Sequence, residues 1–449
     1  MVALVDGEHY PSVIRWGLER VRDAGYEVSA ALLVGGMEKL GPDRRLDLGE
    51  TPVLEGAADP RRGLTEAIST LDVEAVLDLS DEPVLGYEDR MELIAVALAH
   101  GVPYIGPDFR FDPPVTEPPL PVATLGVIGT GKRVAKTAIA GHAGRLAAAL
   151  GHRPVIVGMG RGGPQQPELV LPEQVELKTL LERVERGEHA ASDYLEDAVM
   201  AQVGTVGARR LGGGLAGRPF ATNVGDAARL AAAADTGLVI LEGSGASIPT
   251  VPWDAGILVA PANLPPEHLG GYMGPLRVLL SDLLVFIIVS GPSSGPENLS
   301  ALYPLARRLH AGIRVAVAEL HPVPLTDVRG KDAFFATTSH RELAGRLADE
   351  LERTAGCRVV SYSANLADRA ALERDLAAAP PFEVLLTELK AAAIDVAARR
   401  ALERGAEVVF VDNRPKTAGG EGNVEELMSE VIELARERAA ARLAPPRTE

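Results

Sequence analysis

One run of residues constrains this chain more than any other: Leu125-Gly126-Val127-Ile128-Gly129-Thr130-Gly131-Lys132-Arg133-Val134-Ala135-Lys136-Thr137. An apolar strand, a glycine-rich turn and an Ala-rich helix opened by Lys-Thr follow one another without a break. That order suits a nucleotide phosphate chain. Glycines let backbone N–H groups curl around phosphate oxygens, and the helix N-terminus adds partial positive charge. A lysine reaches the terminal phosphates, and a hydroxyl one residue later can hold Mg²⁺.

Two frames compete for the phosphate lysine. Taken as G-x-x-x-x-G-K-[ST], the match runs from Gly126 to Lys132, but Arg133 then stands where the metal-binding hydroxyl belongs. An arginine cannot coordinate a cation. Four residues on, Ala135-Lys136-Thr137 restores the Lys-Thr pair, with alanine in place of the second glycine. Gly129, Thr130, Gly131, Lys132, Arg133, Val134, Ala135, Lys136 and Thr137 then align without gaps to the G-T-x-x-x-x-G-K-T loop of dethiobiotin-synthetase-like P-loop enzymes. The second frame is preferred because it keeps the metal ligand and makes Lys132 an additional cation over the phosphates. Only seven of the 45 basic residues are lysines, and two of them fall in this loop.

Downstream, Leu238-Val239-Ile240-Leu241 is a buried-strand pattern that ends in Glu242-Gly243-Ser244-Gly245. Parallel strands covered on both faces read as continuous apolar runs, and ligands collect at their carboxyl ends. Glu242 is expected there beside the phosphate loop, as a Mg²⁺ ligand or to position a nucleophile.

The chain has 449 residues, 46% of them hydrophobic, enough for two or three cores. A net charge of −17 argues against nucleic acid as a partner, since binding a phosphate backbone needs clustered Lys and Arg. It leaves room for a small polyanion in a local cationic pocket. Cys357 is the only cysteine, and the nine histidines lack metal-ligand spacing. No signal-like segment opens the chain, and no apolar run is long enough to span a bilayer. A cytoplasmic protein without membrane contact is expected.

Strands alternate with helices throughout, which argues α/β architecture with parallel-sheet domains around a central P-loop NTPase-like, dethiobiotin-synthetase-like domain. Residues 1–106 read as an N-terminal Rossmann-like α/β domain, and 107–121, with Pro113-Pro114 and Pro118-Pro119, as a linker. Residues 122–291 read as the ATP-binding domain and 292–449 as a C-terminal α/β domain. Expected strands include 154–158, 256–259, 284–289, 314–318 and 407–411. Expected helices include 172–186, 192–203, 297–311 and 340–355.

Three further turns carry candidate chemistry. Gly158-Met159-Gly160-Arg161-Gly162-Gly163-Pro164 follows a strand, so Arg161 could neutralise a transferring phosphoryl group. Asp6-Gly7-Glu8-His9-Tyr10-Pro11 groups two acids, a histidine and a hydroxyl after the first strand. After the late strand, Val411-Asp412-Asn413-Arg414-Pro415-Lys416-Thr417 sets Arg414 and Lys416 around a rigid proline. Lys390 follows the preceding strand, so three candidate phosphate cations are expected at adjacent strand ends.

The chain resembles the cyclic 2,3-diphosphoglycerate synthetases in these segments: Asp6 to Pro11, the loop Gly129 to Thr137, Gly158 to Pro164, Leu241 to Gly245, and Val411 to Pro415. The resemblance implies that ATP drives closure of an intramolecular phosphoanhydride in 2,3-bisphosphoglycerate, releasing ADP and phosphate. It also implies Mg²⁺, with K⁺ as a candidate second cation, and a cytoplasmic homodimer. Lys136 would sit on the β- and γ-phosphates, Thr137 and Glu242 at Mg²⁺, and Lys132, with Arg161, on the transferring group. Lys390, Arg414 and Lys416 are the candidates for the substrate phosphates. Ala135 departs from the glycine expected in the loop. Two other readings are a carboxylate-activating ligase of the dethiobiotin-synthetase type and a partition-ATPase-like nucleotide switch.

Overall fold

Apolar runs buried on both faces form the strands of two sheets, in a computed structural model that describes residues 1–40, 45–56, 58–288 and 298–445. The first sheet has six strands in the order Val53–Glu55, Ala30–Gly35, Val2–Asp6, Val76–Asp78, Tyr104–Ile105 and Arg110–Phe111. All but the last pairing are parallel. Helices start where their sequences favour it. Pro11 opens Pro11–Asp23, and the Asp59 carboxylate accepts the Arg62 N–H at the head of Pro60–Thr70.

The second sheet has thirteen strands. From one edge its order is Ala221–Thr222, Gly204–Leu211, Pro154–Gly160, Leu238–Glu242, Ala123–Gly129, Ala255–Pro261 and Leu283–Ile287. It continues through Arg314–Pro324, Glu407–Gly420, Val384–Thr387, Asp332–Ala336 and Arg358–Ser363, while Glu168–Val170 pairs beside Gly204–Leu211. Most pairings are parallel. The exception that matters is antiparallel: Arg314–Pro324 against Glu407–Gly420, with nine residue pairs in register. The protein is therefore α/β with mostly parallel, mixed sheets.

Both of those strands are longer than the sequence suggested. The segment expected to be a loop carrying Arg414 and Lys416 lies inside one fourteen-residue strand. The polar run Asp412-Asn413-Arg414 followed by Pro415 hid it, because such a run reads as a turn. The pairing with Val384–Thr387 ends at Phe410, so Pro415 lies where that side of the strand needs no N–H donor. The expected helix 172–186 is a short 3₁₀ turn, Pro172–Gln174, followed by Leu177–Glu185. The expected limits at residues 289, 291/292 and 297 lie outside the described residues.

Helices cover both faces. On one side Lys136–Ala149 and the C-terminal Val424–Leu443 pack Ile139, Ala143, Leu427, Val431 and Ile432 onto Leu125, Val127, Ile240 and Ile257. The last helix is capped by Asn423, whose side chain accepts from the N–H groups of Glu425 and Glu426. It thus closes the core beneath the phosphate loop. On the other side Leu299–Leu309 covers Leu258, Leu284 and Phe286, and Val224–Ala232 covers Val155 and Val239. Among the described residues no helix is long and apolar enough to cross a membrane.

Candidate active site

The strand Ala123–Gly129 lies between Leu238–Glu242 and Ala255–Pro261, so its carboxyl end opens at the middle of the parallel sheet. The loop there is tightly folded. A Cβ on Gly129 would stand 2.8 Å from Val134 Cγ2 and 2.9 Å from Lys136 Cδ. Lys136 opens the helix Lys136–Ala149 and is buried, its Nζ donating to the Gly131 carbonyl at 2.7 Å. Burial pushes its ammonium below the usual lysine range, against the opposing pull of Glu242 and Asp193. Ala135, just before the helix, has φ 71° and ψ 24°. This left-handed conformation is the one glycine adopts freely and alanine at a cost of about 1 kcal/mol. Lys132 and Arg133 are exposed on the same loop.

Glu242 pairs in register with Val127, so it emerges beside the loop. The Thr137 hydroxyl donates to its Oε1 at 2.7 Å. Its Oε2 is buried with no hydrogen-bond partner among the described residues, as are both carboxylate oxygens of Asp197. Burial first, and then neighbouring Asp193, push the Glu242 pKa up to about 8. Burial and Glu242 likewise push Asp197 well above the carboxylate range. Asp197, Glu196 and Asp193 all belong to the helix Asp193–Ala201, which is otherwise apolar and lies against the phosphate-loop helix. Acids inside an apolar helix after a glycine-rich loop were the signal that could have exposed them.

The turn after Glu242 is fixed from outside. Arg277, a buried guanidinium, donates to the carbonyls of Ala246 at 2.6 Å and Met273 at 2.8 Å. Burial lowers its pKa to about 10. Gly245 has φ +61°, and a Cβ there would lie 3.3 Å from Lys132 Cγ and 3.2 Å from Arg210 Nη2. The Lys132 stem therefore runs directly over this turn.

A cavity of about 790 Å³ opens above these groups. Its phosphate-loop wall includes Lys132, Lys136, Thr137, Arg161, Asp193 and Glu242. Its far wall comes from the C-terminal strands and helices, with His321, His340, Arg346, Glu350, Lys390 and Asn413. Lys390 Nζ lies 3.1 Å from Glu196 Oε1. Burial lowers the Lys390 pKa, but Glu196 and Glu388 outweigh it and the ammonium is held above its usual range. Burial raises Glu196 to about 7. Glu388 is opposite in outcome: burial raises it, but Lys390 and bonds from Thr338 and Asn413 hold it below the usual value.

The cations expected to converge do so only in part. Lys390 lines the cavity with Lys132, Lys136 and Arg161, whereas Arg414 and Lys416 are absent from its lining. Arg414 Nε instead donates to Asp412 at 2.9 Å, and Asp412 also binds Arg145 on the helix Lys136–Ala149. Lys416 is exposed along the same strand. Their strand runs past the cavity rather than ending at it, so Asn413 contributes where Arg414 was expected. Arg346, which the sequence did not single out, lines the far wall without an ion-pair partner among the described residues. The turn at Asp6 is a closed knot elsewhere. The Asp6 carboxylate accepts from the Glu8 and Asp81 N–H groups, each at 3.0 Å, and bonds His9 Nδ1 at 2.8 Å.

Comparison with known proteins matches three family models along the chain. Residues 1–112 match the cyclic 2,3-diphosphoglycerate synthetase N-terminal domain, 124–318 its P-loop domain and 324–414 its C-terminal domain. The chain belongs to the cyclic 2,3-diphosphoglycerate synthetase family. The family's enzyme from Rubrobacter xylanophilus is 44% identical over 422 residues, covering 93% of this chain and 95% of that one. The one from Methanothermus fervidus is 37% identical over 447 residues, 97% of each chain. That from Thermococcus kodakarensis is 39% identical over 438 residues, 97% of this chain and 98% of the relative.

Proposed function

We propose that this chain uses ATP to close the two phosphates of 2,3-bisphosphoglycerate into cyclic 2,3-diphosphoglycerate, releasing ADP and phosphate. The observation that carries this reading is the two-walled cavity. A phosphate loop forms one side and Lys390 and Arg346 stand on the other, with Lys132, Arg161 and Arg346 all unpaired among the described residues. In a protein of net charge −17, three cations without acidic partners around one cavity call for a polyanion. A carboxylate ligase would need one phosphate wall rather than two.

Both steps are phosphoryl transfers, in which the protein supplies position and charge. In this reading Lys136 holds the β- and γ-phosphates, and Lys132 and Arg161 follow the transferring group. Lys390 and Arg346 hold the substrate; Arg414 and Lys416 stand outside its cavity. The donor set fits Mg²⁺, with the Thr137 hydroxyl and Glu242 as ligands and Asp193 nearby, because orphaned buried carboxylate oxygens suit a hard cation. Among the described residues no three such side chains converge as a ready metal cluster. ATP phosphates and water would complete the shell, and the cation would neutralise charge on the phosphates. The reading includes K⁺ as a second cation and a cytoplasmic homodimer. For the dimer, Leu215 and Phe220 offer an apolar surface at 77% and 88% exposure. It also takes 1–106, 107–121, 122–291 and 292–449 as the functional divisions.

Phosphorus NMR of the protein with ATP, Mg²⁺ and 2,3-bisphosphoglycerate tests the reading. Anhydride signals should appear in step with ADP. ATP turnover indifferent to the bisphosphate, with no anhydride signal, would overturn it.

A further inference from the structure

The far wall of the cavity holds a histidine whose surroundings differ from those of a structural histidine. His321 sits on the strand Arg314–Pro324, and its Nδ1 bonds the Glu350 carboxylate from the helix Arg341–Ala355. A carboxylate on Nδ1 fixes the ring's tautomer and orientation and leaves Nε2 to exchange protons. Nε2 is 3.9 Å from Glu319 Oε2 and has no closer ion-pair partner among the described residues, and Glu319, His321 and Glu350 all line the cavity. The other charged groups around the ring are Arg353, 3.4 Å from Glu350, Arg346 on the same helix, and Arg414 directly opposite on the neighbouring strand. Three strand spacings, about 14 Å, separate this strand from that of the phosphate loop. Lys136 and His321 reach into that gap from its two sides and line the same cavity, so the phosphoryl group handed from ATP to the substrate lies between them.

The proposed chemistry has a proton to place. In the first step an oxygen of one substrate phosphate attacks the γ-phosphorus of ATP. A P–O bond forms, the bond to the β-phosphate's bridging oxygen breaks, and ADP leaves with the electron pair. In the second step an oxygen of the other substrate phosphate attacks the substrate-linked phosphorus of the new diphosphate. The ring bond forms, the bond to the bridging oxygen breaks, and that oxygen leaves on inorganic phosphate. Unassisted, the leaving group would be a trianion. If both substrate phosphates start as dianions, each turnover takes up one proton, which ends on that phosphate.

We propose that His321, oriented by Glu350, delivers this proton to the departing inorganic phosphate, and collects it from the attacking phosphate when that group arrives protonated. The inference rests on the ring-closing reading above. His321 is the catalytic residue, since its Nε2 meets the leaving oxygen, and Glu350 is a positioning residue.

The test is rapid-quench kinetics with γ-labelled ATP and 2,3-bisphosphoglycerate at pH 8, where the first step needs no base. In the wild type, ADP, phosphate and cyclic product should rise together. His321→Gln should release about one ADP per site in a burst, with cyclic product slowed at least ~100-fold. In His321→Ala, added imidazole should restore product formation. Glu350→Gln keeps the ring and should slow the second step about tenfold while altering its pH profile. Variants that still gain thermal stability from Mg-ATP are folded. In such variants, turnover within threefold of wild type overturns the proposal, and so does parallel loss of ADP and product without imidazole rescue. If the His321 variants fail to fold, an unaltered pH profile in Glu350→Gln overturns it. A wild type that makes no cyclic product would instead remove the ring-closing reading itself.

Discussion

The two walls of the cavity are built in different ways. The phosphate-loop wall is built around one contiguous stretch, Lys132 to Thr137, joined by Glu242 from the adjacent strand and by Arg161 and Asp193. The far wall is gathered from His321, His340, Arg346, Glu350, Lys390 and Asn413, on five separate elements or turns. A site made of backbone curvature must be written locally, in glycines and a helix start. A site made of side-chain tips need not be written locally at all. In the proposed reaction the first kind of wall holds the nucleotide, and the second sets which substrate is accepted.

That contrast can be broken most sharply at Lys136. Lys136→Ala should lower ATP turnover by about 1,000-fold or more, since on the proposed reading it removes the buried cation that holds the phosphates. Arg133→Ala should leave Mg²⁺ dependence intact. Near-normal turnover in Lys136→Ala would restore the alternative frame ending at Lys132. Next in size is the far wall. Arg346→Ala should raise KM for the bisphosphate about 10- to 100-fold with little change for ATP, as expected for one lost charge-assisted contact. Arg414→Ala, outside the cavity, should change it less than about threefold. Equal effects of the two in steady-state kinetics would erase the distinction between the lining and the strand beside it.

A third comparison uses pH. Glu242, near 8, and Glu196, near 7, have folded pKa values above those of an unfolded chain, so the fold binds more protons than the unfolded state between about pH 4.5 and 8. Their contribution is fully present at low pH and is lost as pH rises through that window. Without nucleotide or metal, Glu242→Gln should therefore be more stable than wild type at pH 8, by on the order of 1–2 kcal/mol, and lose that advantage near pH 5. Thermal unfolding across pH checks this, and parallel curves would refute it. The smallest effect concerns Ala135. Ala135→Gly relieves the left-handed strain at φ 71° and should stabilise the protein by about 0.5–1 kcal/mol, less glycine's extra entropy in the unfolded chain. A destabilised variant would mean that the methyl contributes packing that outweighs the strain.

Legibility in the sequence followed the same division. The strand–loop–helix at Gly129 to Thr137 and the strand ending in Glu242 were readable because periodicity and glycine placement are local. The buried acids Asp193, Glu196 and Asp197 were not singled out, since a charged residue on a helix ordinarily faces solvent. Arg346 and His321 carried no local mark, because an exposed arginine on an amphipathic helix has no pattern that separates a ligand contact from a solvated one. Arg414 misled for the converse reason: a proline between two cations resembles a turn, and only the long antiparallel pairing with Arg314–Pro324 shows otherwise.

That pairing also bears on mechanics. Arg314–Pro324 is hydrogen-bonded on one side to the ATP strands and on the other to Glu407–Gly420, so one ladder runs beneath both walls. Many two-lobed kinases close on their substrates by swinging about a linker. Here such a swing would tear the ladder apart. The spacing of the walls is thus set like the jaws of a fixed gauge rather than of a clamp, and adjustment to substrate falls to side chains and the loops above the sheet. A gauge of fixed width discriminates by length: a molecule whose two phosphates stand too close together or too far apart would meet one wall and miss the other.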